Sequence, residues 1–241
     1  MPTGSSGSSS SADISAKPEQ SVEQPVELPR GFAWLRLKAA HFTGSLDAKE
    51  EENFNEISVM KNREAECDQC EKYRDWTLKY SPTVRYMREQ IEQIGGRVGR
   101  ENIICDYCDE YKAGGFNPMV GVLLCQNHVS GKLHLEDTLA HELVHAYDEM
   151  KFHVDWMNLK HHACSEIRAS NLSGECRMVN EIFRRGQIHL TRQHQECVRR
   201  RAVMSVMGNP NCKDEDHAKK VVSQVWDSCF NDTRPFDEIY R

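Results

Sequence analysis

No stretch of the sequence approaches the roughly 20 consecutive apolar residues that a helix needs to cross a bilayer. That excludes a helical membrane span, and the expectation is a chain that is soluble or peripheral to a membrane. Excess positive charge is missing too: 31 Lys and Arg stand against 37 Asp and Glu, for a net charge of -6. Such a balance excludes a protein whose whole surface is built for nucleic acid. Residues 1 to 29 hold one Lys, no Arg and almost no large apolar side chain, and are rich in Ser, Gly, Pro and Glu. They cannot offset their ordering entropy by burial, so a disordered low-complexity tail is expected there, followed by one domain over residues 30 to 241. Without arginine the tail is no Arg-rich mitochondrial presequence, and without an apolar middle it is no secretory signal.

Cysteine, by contrast, is plentiful, with ten residues: Cys67, Cys70, Cys105, Cys108, Cys125, Cys164, Cys176, Cys197, Cys212 and Cys229. An even number spread over the whole ordered region predicts a disulfide framework formed in an oxidising compartment, with a pairing that sequence does not supply. The rival is a four-thiolate zinc site made by Cys67-x-x-Cys70 and Cys105-x-x-Cys108, whose separation of 34 residues exceeds the usual ribbon spacing. The cysteines therefore ask for an oxidising compartment in a chain that carries no visible address.

The stretch Thr138-Leu-Ala-His141-Glu142-Leu-Val-His145-Ala-Tyr-Asp148 contains His-Glu-x-x-His. Residues four apart share one face of a helix, so the imidazoles of His141 and His145 can converge on one Zn²⁺. Glu142 lies close enough to take a proton from a water at the same place and pass it to a leaving amine. No Pro or Gly interrupts Leu133 to Met150, and Leu135, Leu139, Leu143 and Ala146 recur at helical spacing. A catalytic zinc generally needs a third protein ligand. Glu166, 21 positions after His145 on the next helical stretch, is the strongest candidate, with Asp155 and His162 as competitors. Asp148, seven residues after His141, is expected to orient a histidine from behind. Tyr147 and His153 are candidates for oxyanion stabilisation, although a core tyrosine and a surface histidine are the plainer readings.

Along the chain, residues 31 to 55 read as weakly helical, with the acidic run Asp47 to Glu52 as a solvated face. A helix is expected over Pro82 to Ile94, stopped by Gly95-Gly96, and a short strand at Ile103 to Cys105. Gly114-Gly115 and Asn117-Pro118 read as turns, and Met119 to Cys125 as the best strand. If exposed as a sheet edge, that last strand could hold an extended peptide by backbone hydrogen bonds; an interior strand is the alternative. Further helices are expected over His161 to Arg185, Leu190 to Met207 and Asp214 to Phe230, with Cys197, Cys212 and Cys229 able to staple them. The basic stretch Arg184 to Arg201 has six Arg against one Glu. It reads as the wet face of a helix, because no aromatics are interleaved in it; an anionic surface is the alternative.

The chain resembles the family of mitochondrial inner-membrane metalloproteases that process a membrane subunit of the ATP synthase and assist its assembly. The resemblance rests on Leu-Cys-Gln-Asn at 124 to 127, His-Glu-Leu-Val-His-Ala-Tyr-Asp at 141 to 148 and His-Val-Asp-Trp at 153 to 156. It continues in His-Ala-Cys-Ser-Glu-Ile-Arg-Ala-Ser-Asn-Leu-Ser-Gly-Glu-Cys at 162 to 176, Asn-Glu-Ile-Phe at 180 to 183 and Ser-Cys-Phe-Asn-Asp at 228 to 232. It covers about Cys105 to Phe236 and, more loosely, reaches back to Gly31. What it implies is an endopeptidase with one Zn²⁺, peripheral to the inner membrane on its intermembrane-space side, with His141 and His145 as ligands and Glu142 as catalytic residue. Small cysteine-rich proteins of that space enter without a presequence and are trapped by oxidation, which removes the conflict over compartment.

The fold expected is α+β and zincin-like: a small mixed sheet, an active-site helix carrying His-Glu-x-x-His, and a disulfide-stapled helical C-terminal part. The partners implied are the precursor of an ATP synthase membrane subunit as substrate, ATP synthase assembly intermediates and the membrane surface, with no nucleic acid. The rival functions are a non-proteolytic assembly or binding factor and, since vertebrate relatives of the family are linked to DNA repair, a repair-associated scaffold.

Overall fold

The computed structural model describes residues 28 to 177 and 193 to 237. The low-complexity tail lies outside the described residues as far as residue 27. So do the end of the helix expected over His161 to Arg185 and the first part of the basic stretch. The chain divides into two compact units, one ending at Phe54 and one beginning at Asn55.

In the first unit, α1 (Gly31–Phe42) is followed by the start of α2 (Ala48–Tyr80). Gly44, at φ 63°, turns the chain between them. Asp47 then caps α2 reciprocally: its carboxylate accepts from the Glu50 N–H at 2.8 Å, and Glu50 accepts from the Asp47 N–H at 3.0 Å. Trp34 and His41 of α1 stack on Phe54, with ring centroids 5.6 and 4.1 Å apart.

In the second unit, α2 continues to Tyr80 and breaks at Ser81-Pro82, where the Ser81 hydroxyl accepts from the Val84 N–H and opens α3 (Pro82–Gln93). Proline at the first helical position has no N–H to leave unpaired. Gly95, at φ 91°, ends the helix close to the expected stop. Three strands follow, β1 (Ile103–Asp106), β2 (Gly114–Asn117) and β3 (Gly121–Cys125), in the order β1-β3-β2. β1 runs parallel to β3 and β2 antiparallel to it, so the small sheet is mixed, as expected. Two expectations are corrected. Gly114 to Asn117 is a strand rather than a pair of turns, and Met119-Val120 belongs to the turn before β3. The strand read as a potential edge, β3, is central, and the edge toward the active helix is β2. Glycine weakens a strand interior and so argued against β2 in the sequence, but here it permits a close approach described below.

The helix α4 (Lys132–Phe152) carries the histidine motif and is buried at every residue from Asp137 to Asp148. Leu135, Leu139 and Leu143 lie in a core shared with Val84, Met87 and Ile91 of α3 and with Val122 and Leu124 of β3. Fully burying each such side chain contributes roughly 1.5–3 kcal/mol. His153, at φ 52°, ends α4. Next, α5 (Leu159–Leu172) starts on an Asn158 cap and stops short of the expected Arg185, because the chain turns through Gly174 at φ 91°. A second core joins α5 to α6 (Gln193–Met207) and α7 (Glu215–Phe230) through Ile167, Val198, Val206, Val222 and Phe230.

Four disulfides tie these elements: Cys70–Cys105, Cys108–Cys125, Cys164–Cys229 and Cys176–Cys197. Cys67 and Cys212 are free. The four-thiolate alternative is thereby excluded, since Cys70, Cys105 and Cys108 are all oxidised. Of the proposed staples, Cys197 and Cys229 serve, whereas Cys212 does not.

Candidate metal centre

One turn of α4 separates His141 from His145, and their Nε2 atoms face each other at 3.1 Å. From α5, Glu166 brings Oε1 to 3.3 Å from His145 Nε2 and Oε2 to 3.6 Å from His141 Nε2. All three residues are buried, and their donor atoms lie within 4.8 Å of one another. A tetrahedral zinc with bonds of about 2.0–2.2 Å holds its ligand atoms about 3.3–3.6 Å apart. The donor set fits such an ion in chemistry, and its closest approaches of 3.1, 3.3 and 3.6 Å lie around that spacing.

The outer ring nitrogens are held from behind. His141 Nδ1 stands 3.0 Å from Glu175 Oε1, and His145 Nδ1 stands 2.8 Å from Ser165 Oγ. The Ser165 hydroxyl donates onward to Asp148 at 3.0 Å. Asp148 in turn takes both Nε and Nη2 of Arg168, at 3.0 and 2.9 Å. When each Nδ1 carries its proton toward these partners, both Nε2 lone pairs point inward, where a metal would take them. Arg168 also reaches the Asp232 carbonyl and carboxylate, both at 2.7 Å, which fastens the segment after α7 to the back of the site.

The electrostatics follow from burial and these partners. Burial alone would push the His141 imidazole down, but the Glu175 and Glu166 carboxylates outweigh it and hold the ring well above its usual range. For Glu166, burial is overcome by His145 and by hydrogen bonds from three histidines, so its carboxyl lies well below the usual range. Glu175 is likewise held low by His141 and by Arg201, whose Nε is 2.6 Å from Glu175 Oε1. Glu142 behaves oppositely: burial raises its carboxyl, aided by the nearby Glu166 and Glu175 charges and opposed by the two histidines.

The edge strand β2 closes one side. A methyl group added at Gly114 would stand 2.8 Å from Thr138 Cγ2, 2.9 Å from the Leu123 carbonyl and 3.3 Å from Glu142 Oε1. Only glycine lets β2 lie this close to the helix beside Glu142. Trp156 stands edge-on to His145, 5.5 Å between centroids, with Phe116 of β2 6.2 Å away.

The competitors for third ligand fall elsewhere. Asp155 is exposed and accepts from the Met157 N–H of its own turn. His162 accepts from the Asn209 amide at Nδ1, 2.9 Å, and its Nε2 lies 3.2 Å from Ser205 Oγ and 3.5 Å from Glu166 Oε1. It steadies Glu166 from the far side. Tyr147 is buried in the core and His153 is exposed at the helix end. Sequence reasoning missed Glu175, Ser165, Arg168, Arg201 and Trp156. Glu175 follows the Gly174 turn, where helical periodicity carries no signal. Arg201 lies in the stretch read as a wet face, although it reaches Glu175, and Arg199 sits 3.9 Å over the Trp226 ring.

Comparison with known proteins identifies a family. The chain is 59% identical over 224 residues to a mitochondrial inner membrane protease ATP23 of Yarrowia lipolytica, covering 93% of this chain and 90% of that one. Similarity extends to the proteins of the same name from Saccharomyces cerevisiae, 54% identical over 219 residues (88% and 96%), and Neosartorya fischeri, 56% over 217 (89% and 92%). No solved structure matches. The family model for peptidase M76 matches residues 68 to 237, a span that contains all of the buried cluster, and the chain belongs to that family of metallopeptidases.

Proposed function

We propose that the chain is a zinc-dependent endopeptidase with a zincin-like arrangement of helix and edge strand. Its ligands are His141, His145 and Glu166, and Glu142 is its catalytic residue. The observation that carries this reading is the meeting of two Nε2 atoms and one carboxylate at the spacing of a tetrahedral ion. Zinc bound there would polarise a peptide carbonyl and lower the pKa of a water to about 7. The protein's own residues do the rest. Glu142, whose carboxyl is raised by burial, receives the proton of the attacking water and returns it to the departing amine. Glu175 and Ser165 fix the two ring tautomers, and Trp156 and Phe116 keep bulk water from one side. The outer edge of β2 offers backbone N–H and C=O groups to an extended peptide, which sets the scissile bond beside Glu142.

The names of the relatives extend the reading to the mitochondrial inner membrane, and no described helix is long and apolar enough to cross a membrane. Four disulfides favour its oxidising, intermembrane-space side, and the reading includes peripheral attachment there. The substrate in this reading is the precursor of an ATP synthase membrane subunit, and assembly intermediates of that enzyme are further partners. Metal analysis and cleavage assays on Glu142→Gln test the catalytic assignment: one zinc per chain with cleavage abolished is expected. Loss of zinc, or full cleavage, would remove Glu142 from its role. Cells in which this variant still supports ATP synthase assembly would reveal a second, non-proteolytic activity.

A further inference from the structure

The helix α1 presents an apolar face to solvent. Phe32, Leu35 and Phe42 are 74%, 61% and 91% exposed, far more than a helix retains when that face meets a core. At about 100° per residue, Phe32, Leu35, Ala39 and Phe42 share an arc of about 80°, and Arg36 and Lys38 lie on its two borders, each about 80° from its centre. The inward side is already occupied, since Trp34 and His41 stack on Phe54. From Arg30 to Leu46 the sequence holds Arg30, Arg36 and Lys38 and no acidic residue; Asp47 is the first.

We propose that α1 is the element by which the chain docks on an anionic phospholipid surface. Phe32, Leu35 and Phe42 enter the boundary between headgroups and acyl chains, while Arg36 and Lys38 reach out to the phosphates on either side. An apolar stripe bordered by cations, on a helix lying in the plane of the interface, is the arrangement that such surfaces hold. Each added cation near the surface strengthens attachment, and long basic side chains can bury their stems while keeping their charge in water. A second copy of the chain fits this face poorly, because it would bring Arg36 and Lys38 against their own counterparts. The proposal deepens the inner-membrane reading, on which it rests for its compartment, by naming the face that meets the lipid. It does not depend on peptidase activity.

The test is flotation of the full chain with vesicles of phosphatidylcholine alone and of phosphatidylcholine mixed with phosphatidylglycerol, with zinc content measured on every sample. The wild type is expected to float with the anionic vesicles and not with the neutral ones. The Arg36→Gln/Lys38→Gln variant, which removes two exposed charges together with the Lys38 ammonium's contact 5.0 Å over the Trp34 ring, is expected to partition about thirtyfold more weakly. The Phe32→Ser/Leu35→Ser/Phe42→Ser variant should remain at the bottom of the gradient. Wild type that stays unbound, equal flotation with both vesicle types, or variants that float as the wild type does would overturn the proposal. So would a wild-type dimer in size-exclusion chromatography that the triple substitution dissociates, since the face would then belong to a second copy. Loss of zinc in the triple variant would make the Gln pair the deciding sample. Absence of zinc from the wild type would count against the metallopeptidase reading and leave the flotation result intact.

Discussion

The Oε1 atom of Glu175 stands 3.0 Å from Nδ1 of His141, across 34 residues of sequence, and the same oxygen receives Arg201. The ring facing the proposed metal position is thus held by a carboxylate, and that carboxylate by a guanidinium. Glu175→Gln keeps an acceptor for the ring N–H but removes the charge that makes the imidazole a better donor to metal. Zinc affinity is expected to fall about 10- to 100-fold, as read by competition with a chromophoric chelator. Unchanged affinity would reduce Glu175 to a packing role.

Gly114 is expected to be intolerant of a side chain. Two of the atoms within 3.0 Å of the added methyl are the Leu123 carbonyl, which is backbone, and Thr138 Cγ2 on α4. The strand or the helix must therefore shift, at a cost of about 1–3 kcal/mol. Gly114→Ala should lower kcat/KM for peptide cleavage at least tenfold while one zinc per chain is retained, because β2 moves away from Glu142 and the ligands do not. Adding Thr138→Ser, which removes Cγ2, should restore part of the loss. A variant that cleaves as the wild type does would show that β2 is free to move.

Much of the site could be read directly from the sequence because its parts obey a period. His141 and His145 are one helical turn apart, and Glu166 sits on the next apolar-faced helix, so spacing alone brought these three side chains forward as candidates. The end of α3 and both C-terminal helices were legible for the same reason, since Gly95, Gly208 and Asp214 punctuate them. What could not be read depends on tertiary approach. The β2 strand hides behind two glycines whose lack of side chains is the condition for packing on α4. Glu175 comes after a left-handed glycine, where no regular spacing relates it to His141. The cysteine count announced a framework, but its pairing depends on which elements become neighbours.

The Cys176–Cys197 disulfide begins at the residue after Glu175 and closes a separation of 21 residues. Its loss should cost about 3 kcal/mol by the chain-entropy relation. In a domain of this size that is a fall in Tm of roughly 6–12 °C. Because the bond also fixes the backbone that carries Glu175, the Cys176→Ser/Cys197→Ser variant should bind zinc more weakly as well. The Cys108→Ser/Cys125→Ser variant, which unties the end of β3 rather than the turn that carries Glu175, should lose stability and keep its zinc affinity. Equal effects on zinc from both variants would mean that general loosening, not the position of Glu175, controls the site.

Arg168 and Asp148 are both 2% exposed at their side chains and pair at 2.9 Å. Burial nevertheless pushes the Asp148 carboxyl above its usual range against the pull of Arg168. The charged carboxylate is therefore costly in place, and a neutral group of the same shape should be tolerated there once the arginine is absent. Arg168 Nη1 donates to the Asp232 carbonyl at 2.7 Å and Nη2 to the Arg234 carbonyl at 2.5 Å, so Arg168→Met leaves that charge buried without its partner and frees both carbonyls, for an expected loss of about 3–5 kcal/mol. Asp148→Asn combined with Arg168→Met removes both charges while keeping an acceptor for the Ser165 hydroxyl. The double variant should recover a substantial part of the loss in urea denaturation and retain zinc, since the chain from Ser165 to His145 is preserved. If the double variant is no more stable than Arg168→Met, the cost lies in the severed carbonyls of the segment after α7 rather than in the stranded charge.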